Sequence, residues 1–207
     1  GLQQGGFAFV TLIHEIGHGL GLAHPHDEGG VSTIMPGVTD IFDSYGTHGL
    51  NQGVFTTMSY NDAWPGGPLP MPLVSGLGFQ GTPMALDIAM LQLLYGVNST
   101  YHNTDNTYTL TATSTMFQCI WDTGGDDLII FSGNGRVNID LRAATLLYET
   151  GGGGWVSYVS GVSGGFTIAN GVVIENAAGS GGNDALHGNS ANNTLTGNDG
   201  DDTISGD

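Results

Sequence analysis

Apolar and polar positions divide the chain into two kinds of pattern. Residues 7–19, FAFVTLIHEIGHG, mix apolar residues with His14 and His18 and predict a buried helix, stopped by the run of Gly17, Gly19 and Gly21. Residues 25–82 are rich in Gly and Pro, show little periodicity and read as long loops. Apolar residues then return at helical spacing, with Leu86, Ala89, Met90, Leu93 and Leu94 on one stripe. This predicts a core helix over 82–96, capped by Thr82, with Pro83 in its first turn and Gly96 at its end. Beyond residue 98 the period shortens. The runs 107–110, 117–121, 128–131 and 137–141, separated by Asn, Gly and Asp turns, read as strands. A domain boundary is expected near residues 97–100, giving units 1–97 and 98–207.

The last stretch repeats every nine residues: GSGGNDALH (179–187), GNSANNTLT (188–196) and GNDGDDTIS (197–205). Leu186, Leu195 and Ile204 fall in phase, and so do Asp184, Asn193 and Asp202. An apolar residue held in phase with a polar turn is the signature of a stacked solenoid. The pattern stops in its fourth copy, so the array is expected to continue past Asp207.

Charge sharpens this picture. Nineteen Asp and Glu face two basic residues, Arg136 and Arg142, for a formal charge of −17 over 207 residues. Such a surface excludes nucleic acid and anionic membranes as partners. Carboxylates this numerous need another neutralising charge, and metal cations supply it. Glycine, at 37 residues, is too irregularly spaced for collagen, and 39% hydrophobic content argues against general disorder. The single Cys119 excludes an intrachain disulfide framework and reads as a buried thiol. No apolar run is long enough to span a bilayer.

The sharpest chemical signal is His14-Glu15-Ile16-Gly17-His18, followed by Gly21 and His24. On a helix, His14 and His18 lie one turn apart on one face, so their imidazoles can converge on one ion. Gly21 permits the sharp turn that returns His24 as a third ligand. Three protein ligands and an open position describe a catalytic zinc, and Glu15 sits where it can hold and deprotonate a metal-bound water. His26, His48, His102 and His187 lack partners at ligand spacing and read as surface or structural residues.

HEIGHGLGLAH resembles the extended zinc signature of the metzincin metalloproteases. Thr57-Met58-Ser59-Tyr60 resembles that clan's methionine turn, and Pro25 after the third histidine and the nonapeptides resemble the serralysins. The resemblance implies an α+β chain: the C-terminal part of a metzincin catalytic domain followed by an all-β parallel β-roll with calcium-binding nonapeptides. It implies a secreted, extracellular zinc endopeptidase acting on protein or peptide substrates, with Zn²⁺ on His14, His18 and His24. Tyr60 would be a further zinc ligand that swings away to stabilise the transition state, and Met58 would pack beneath the histidines.

The same resemblance implies Ca²⁺. In such a roll one turn takes two repeats, so the first and third repeats share an edge. One ion would lie between Ser180, Gly182 and Asp184 and Gly197, Asp199 and Asp202. A second cluster would combine Asp122, Gly124, Gly125 and Asp127 of WDTGGDD with Val173 and Glu175, joined by His102, Thr104 and Asn106. Asn193 and Ala191 make the middle repeat the weaker site.

Thirteen residues precede His14, where a metzincin carries a sheet and another helix. Association with a separate N-terminal segment of the same protease is therefore expected. The competing reading is a non-catalytic calcium-binding repeat module with a silent zinc site. A matrixin with an acidic tail is disfavoured by Pro25 and the repeats.

Overall fold

The computed structural model describes residues 2–30, 32–68 and 76–206. Helix α1 spans Phe7–Gly19, as the sequence predicts. Its end is set by Gly21, whose φ of 93° is the left-handed conformation that glycine adopts without strain. The Leu22 N–H returns to the Gly17 carbonyl at 2.9 Å and the Gly21 N–H to the His18 carbonyl at 2.9 Å, closing the helix and reversing the chain. The expectation of a buried helix needs correction: only Val10 and Gly17 are buried, while Phe7, Leu12 and Ile16 are exposed. Apolar residues line several faces of α1, and this chain supplies cover for one of them.

The loops predicted over 25–82 are present among the described residues, broken by a 3₁₀ turn at Thr47–Gly49 and the short strand β1, Phe79–Gln80. Helix α2 spans Ala85–Tyr95 and ends at Gly96, with φ 88°. Two details of that prediction are overturned. Thr82 is not the cap: its hydroxyl accepts the Cys119 N–H at 2.9 Å, while Asp87 reaches back to the Met84 N–H at 2.8 Å. Nor is the stripe core, since Met90, Leu93 and Leu94 are exposed and the buried residues are Ala85 and Asp87. The helix lies against the sheets through its N-terminal end, where Met84 and Ala85 join the core.

The strands β2 (Thr107–Leu110), β3 (Met116–Ile120), β4 (Leu128–Phe131) and β5 (Val137–Asp140) fall where the alternating runs predict them. They are followed by β6 (Ser157–Val159), β7 (Gly165–Ile168), β8 (Asn176–Ala178), β9 (Ala185–His187), β10 (Thr194–Thr196) and β11 (Thr203–Ser205). One sheet has the order β1-β3-β7-β6-β5-β9-β11 and the other β10-β8-β4-β2. Pairing is parallel except where β6 meets β5 and β7. In both sheets the repeat strands advance by 18 residues, Asn176 pairing with Thr194 and Ala185 with Thr203. One coil therefore takes two nonapeptides. Ile129 and Ala177 from one sheet and Ile139, Ile168 and Leu186 from the other share a single core. Val54, Ala63 and Met84 belong to that core too, and β1 joins the larger sheet, so packing is continuous across residue 97.

Candidate metal centres

Helix α1 and the turn after it bring three imidazoles to one point. His24 Nε2 lies 3.1 Å from His14 Nε2 and 3.0 Å from His18 Nε2. The opposite ring nitrogens decide what those atoms are. His14 Nδ1 donates to the Thr57 carbonyl at 2.8 Å and His18 Nδ1 to the Leu22 carbonyl at 2.9 Å. A carbonyl can only accept, so each Nδ1 carries the proton and each Nε2 offers a lone pair. His24 Nδ1 does the same toward Asp27 Oδ2 at 2.8 Å. Three converging lone pairs repel unless a cation lies among them. Zinc–imidazole bonds of about 2.0–2.1 Å in a tetrahedron would hold the nitrogens roughly 3.3 Å apart, so the residues present fit a zinc ion.

The outer partners are what the sequence reading missed. Burial lowers the pKa of His24, against the opposing pull of Asp27. Burial acts to raise Asp27, but the N–H and ring of His24 outweigh it and hold the carboxyl low. His14 is oriented through a longer chain of contacts. Asp87, buried on α2, accepts from the Thr57 N–H at 2.7 Å, the Thr57 hydroxyl at 2.9 Å and the Thr56 hydroxyl at 2.6 Å. Burial pushes the Asp87 carboxyl upward while these hydrogen bonds oppose it. The Thr57 carbonyl then fixes His14. An acidic residue inside an otherwise apolar stretch was the available signal for Asp87; Asp27, three residues after a ligand, was that for the other.

Met58 is buried beneath the histidines' helix, and a Cβ on Gly17 would stand 2.8 Å from its sulfur. Tyr60 is exposed, its ring 5.6 Å from that of His14 and 4.7 Å from that of His24. His26, read as a surface or structural residue, stacks on His24 at 4.8 Å and packs 5.1 Å from Tyr60. His24, His26 and Asp27 also form a potential ligand group. Glu15 lies with His14, Tyr60 and Asp62 around a cleft of about 330 Å³ along α1. Burial raises the Asp62 carboxyl, opposed by His14.

The second centre gathers carboxylates. Asp122 and Asp127 are buried, and the Asp127 N–H donates to Glu175 Oε2 at 2.9 Å. Burial and the charges of Asp122 and Glu175 push Asp127 up to about 6, against the hydrogen bond from the Asn106 N–H. Its Oδ2 is buried without a hydrogen-bond partner. Gly124 N–H donates to Asp122 Oδ1 at 2.9 Å, and a Cβ on Gly125 would meet the Thr104 carbonyl at 2.6 Å. An orphaned oxygen in a nest of carboxylates and carbonyl groups fits a hard cation. The Asn106 side-chain amide lies 3.2 Å from Asp122 Oδ2, and the amide orientation that satisfies both groups has its nitrogen donating there. His102 reaches the group through Tyr108, whose hydroxyl is 3.0 Å from His102 Nδ1 and donates to Asp122. Burial and that bond raise the Tyr108 pKa. Val173 is exposed between buried Val172 and Ile174.

On the edge formed by the first and third repeats, buried Asp184 accepts the Val137 N–H at 2.8 Å and the Ser180 N–H, and donates its own N–H to Asp202 Oδ1 at 2.9 Å. A Cβ on Gly197 would strike the Asp202 carboxylate, and one on Gly179 the Asp184 carboxylate. Gly182 packs against the Gly135 carbonyl, 3.0 Å from the position of an added Cβ. The turn at Gly133–Gly135 is thus a further rung of this edge, unforeseen because it lies outside the nine-residue phase. Asp199 is exposed. In the middle repeat Asn193 makes the turn hydrogen bond to the Asn189 N–H at 2.9 Å, without a charge. Cys119 is buried as expected, its thiol pushed up to about 12.

Three converging histidines beside a carboxylate stand on the same chain as a parallel coil with acidic turns, a combination that defines a candidate metal-binding class. Comparison with known proteins places the chain within it. The family described as "Peptidase M10 serralysin C terminal" matches residues 85–205, more than half of the sequence, and the chain belongs to that family. It is 36% identical to a serralysin of Proteus mirabilis over 204 residues, covering 90% of this chain and 36% of that protein. It is 38% identical to serralysin C of Dickeya chrysanthemi, covering 85% of this chain and 35% of the relative. The metallopeptidase AprA of Pseudomonas marginalis is 35% identical, over 87% of this chain and 37% of its own length. The chain thus spans little more than a third of the curated relatives it matches.

Proposed function

We propose that this chain carries the zinc centre and calcium-binding β-roll of a secreted endopeptidase that cleaves protein chains. The observation that carries the reading is the convergence of three imidazole nitrogens, each with its far nitrogen already tied to an acceptor. Zinc held by His14, His18 and His24 would supply a Lewis acid and lower the pKa of water toward neutrality. Glu15 takes the proton of the attacking water and passes it to the leaving amine. Tyr60, stacked beside His14, donates its hydroxyl to the charge developing on the scissile carbonyl oxygen. Thr57, Leu22 and Asp27 hold the imidazoles in one tautomer throughout.

Calcium in the two acidic centres neutralises carboxylates that otherwise repel, coupling folding of the sheets to a calcium-rich, extracellular medium. Exposed Leu12 and Ile16 on α1 and Leu93 and Leu94 on α2, which lie outside the cleft, suit association with a preceding segment of the same protease. No described helix is long and apolar enough to cross a membrane. Neither a membrane nor nucleic acid is proposed as a partner.

The test is casein hydrolysis by the protein as isolated, with zinc measured by elemental analysis and a Glu15→Ala variant alongside. About one zinc per chain, with activity that disappears in the variant while zinc stays, supports the protease. Zinc without cleavage favours the alternative, a calcium-binding repeat module with a silent zinc site.

A further inference from the structure

The cleft beside the histidines has one wall that the proposed chemistry does not use. Its lining combines apolar Phe7 and Val10 on α1 and Phe42 with polar Thr11, Ser59 and Asp62, beside His14, Glu15 and Tyr60. Phe42 is held there by stacking on Tyr60, with ring centres 5.7 Å apart. Asp62 is half-buried, and among the described residues its carboxylate accepts no hydrogen bond. Among the described residues no arginine pairs with it, the sequence has no lysine, and His14 is the one basic group whose charge acts on it. Arg142 is paired with Asp140 at 2.6 Å, and Arg136 lines a different cavity with Asn138 and Tyr158.

A carboxylate that accepts no hydrogen bond in a cleft with apolar lining is half of a recognition pair. The apolar lining suits a methylene stem, and the carboxylate suits a cationic head with hydrogen-bond donors. We infer that Asp62 is a specificity-determining residue, and that the cleft selects a substrate carrying arginine or lysine next to the scissile bond. This rests on the protease reading and deepens it by naming a substrate class. A protein with a net charge of −17 would also draw basic segments toward the cleft.

The experiment uses paired fluorogenic peptides that differ only in arginine or its neutral isostere citrulline, placed in turn on each side of the cleaved bond. A charge-assisted hydrogen bond contributes about 1.5–3 kcal/mol, so kcat/KM should favour arginine by roughly 10- to 100-fold at one of the two positions. The preference should collapse to about onefold in Asp62→Asn and persist in Asp62→Glu. Because each ratio is internal to one variant, partial loss of folded protein cancels. A wild-type ratio near one, or a preference that survives Asp62→Asn, overturns the inference. Binding of the same peptides to the Glu15→Ala protein, read by fluorescence anisotropy, separates the two ideas. If nothing is cleaved but arginine still binds more tightly through Asp62, the protease reading fails and the cleft assignment stands.

Discussion

The two kinds of candidate metal region solve opposite electrostatic problems. Around His14, His18 and His24 the candidate ligands are neutral imidazoles, each fixed by an acceptor on its far nitrogen. Around Asp122, Asp127 and Glu175, and along the Asp184–Asp202 edge, they are carboxylates packed close together. Neutral ligands repel only through their lone pairs, weakly enough for ordinary hydrogen bonds to assemble them in advance. Charged ones repel until a cation arrives, and their positions are held meanwhile by backbone N–H groups. A preorganised centre suits chemistry, whereas a repelling one suits a fold that waits for its ion.

The comparison can be broken in four places. The largest effect is expected at Asp184. Replacing it with Ala strands the buried N–H groups of Val137 and Ser180 and should lower stability by about 3 kcal/mol in urea unfolding. Asp184→Asn should lose less, because the middle repeat already closes the same turn with Asn193. Next is Asp27→Ala, which should weaken zinc roughly 10- to 100-fold in a chelator competition. Unfolding measured without metal should scarcely change, since the Asp27 side chain is 42% exposed. If stability falls and zinc affinity does not, Asp27 is a structural residue and the view of a preassembled centre is wrong.

Gly17→Ala should cost about 1–2 kcal/mol in thermal unfolding, because its methyl group meets the Met58 sulfur. A neutral result would mean that Met58 is free to move and does not brace the helix. The smallest effect concerns pH. Asp127 is raised to about 6 from an ordinary 3.8. The folded, metal-free chain therefore holds this proton more tightly than the unfolded chain. Its stabilising share is full below the unfolded value and is lost as pH rises through about 6. Urea midpoints in EGTA between pH 5 and 7.5 should fall more steeply for the wild type than for Asp127→Asn. Equal slopes would remove the crowding argument for the acidic centre.

Much of this was legible in the chain itself. Helix α1 has the predicted bounds because His14, His18 and the terminal glycines mark both its register and its stop. The strands at 107–110 and 128–131 also match, since alternation survives wherever one strand face is buried. The nine-residue phase was legible directly, and the coil of two repeats that the resemblance implies returns as the 18-residue register. The helices' environment was not legible. An apolar stripe states that a face can be buried, not that this chain buries it, so Met90, Leu93 and Leu94 came out exposed.

By itself, then, the sequence determined the local quantities: which residues could ligate, which glycines had to turn, and the nine-residue phase of the repeats. These depend on spacing within one or two turns of chain. Only the tertiary structure decided what stands behind each ligand. Asp87 acts on His14 through Thr57, from 73 residues away in the chain, and Gly135 meets Gly182 across the coil. Such contacts are made by packing. Their partners are ordinary carbonyl and carboxylate groups, which no local pattern separates from dozens of others.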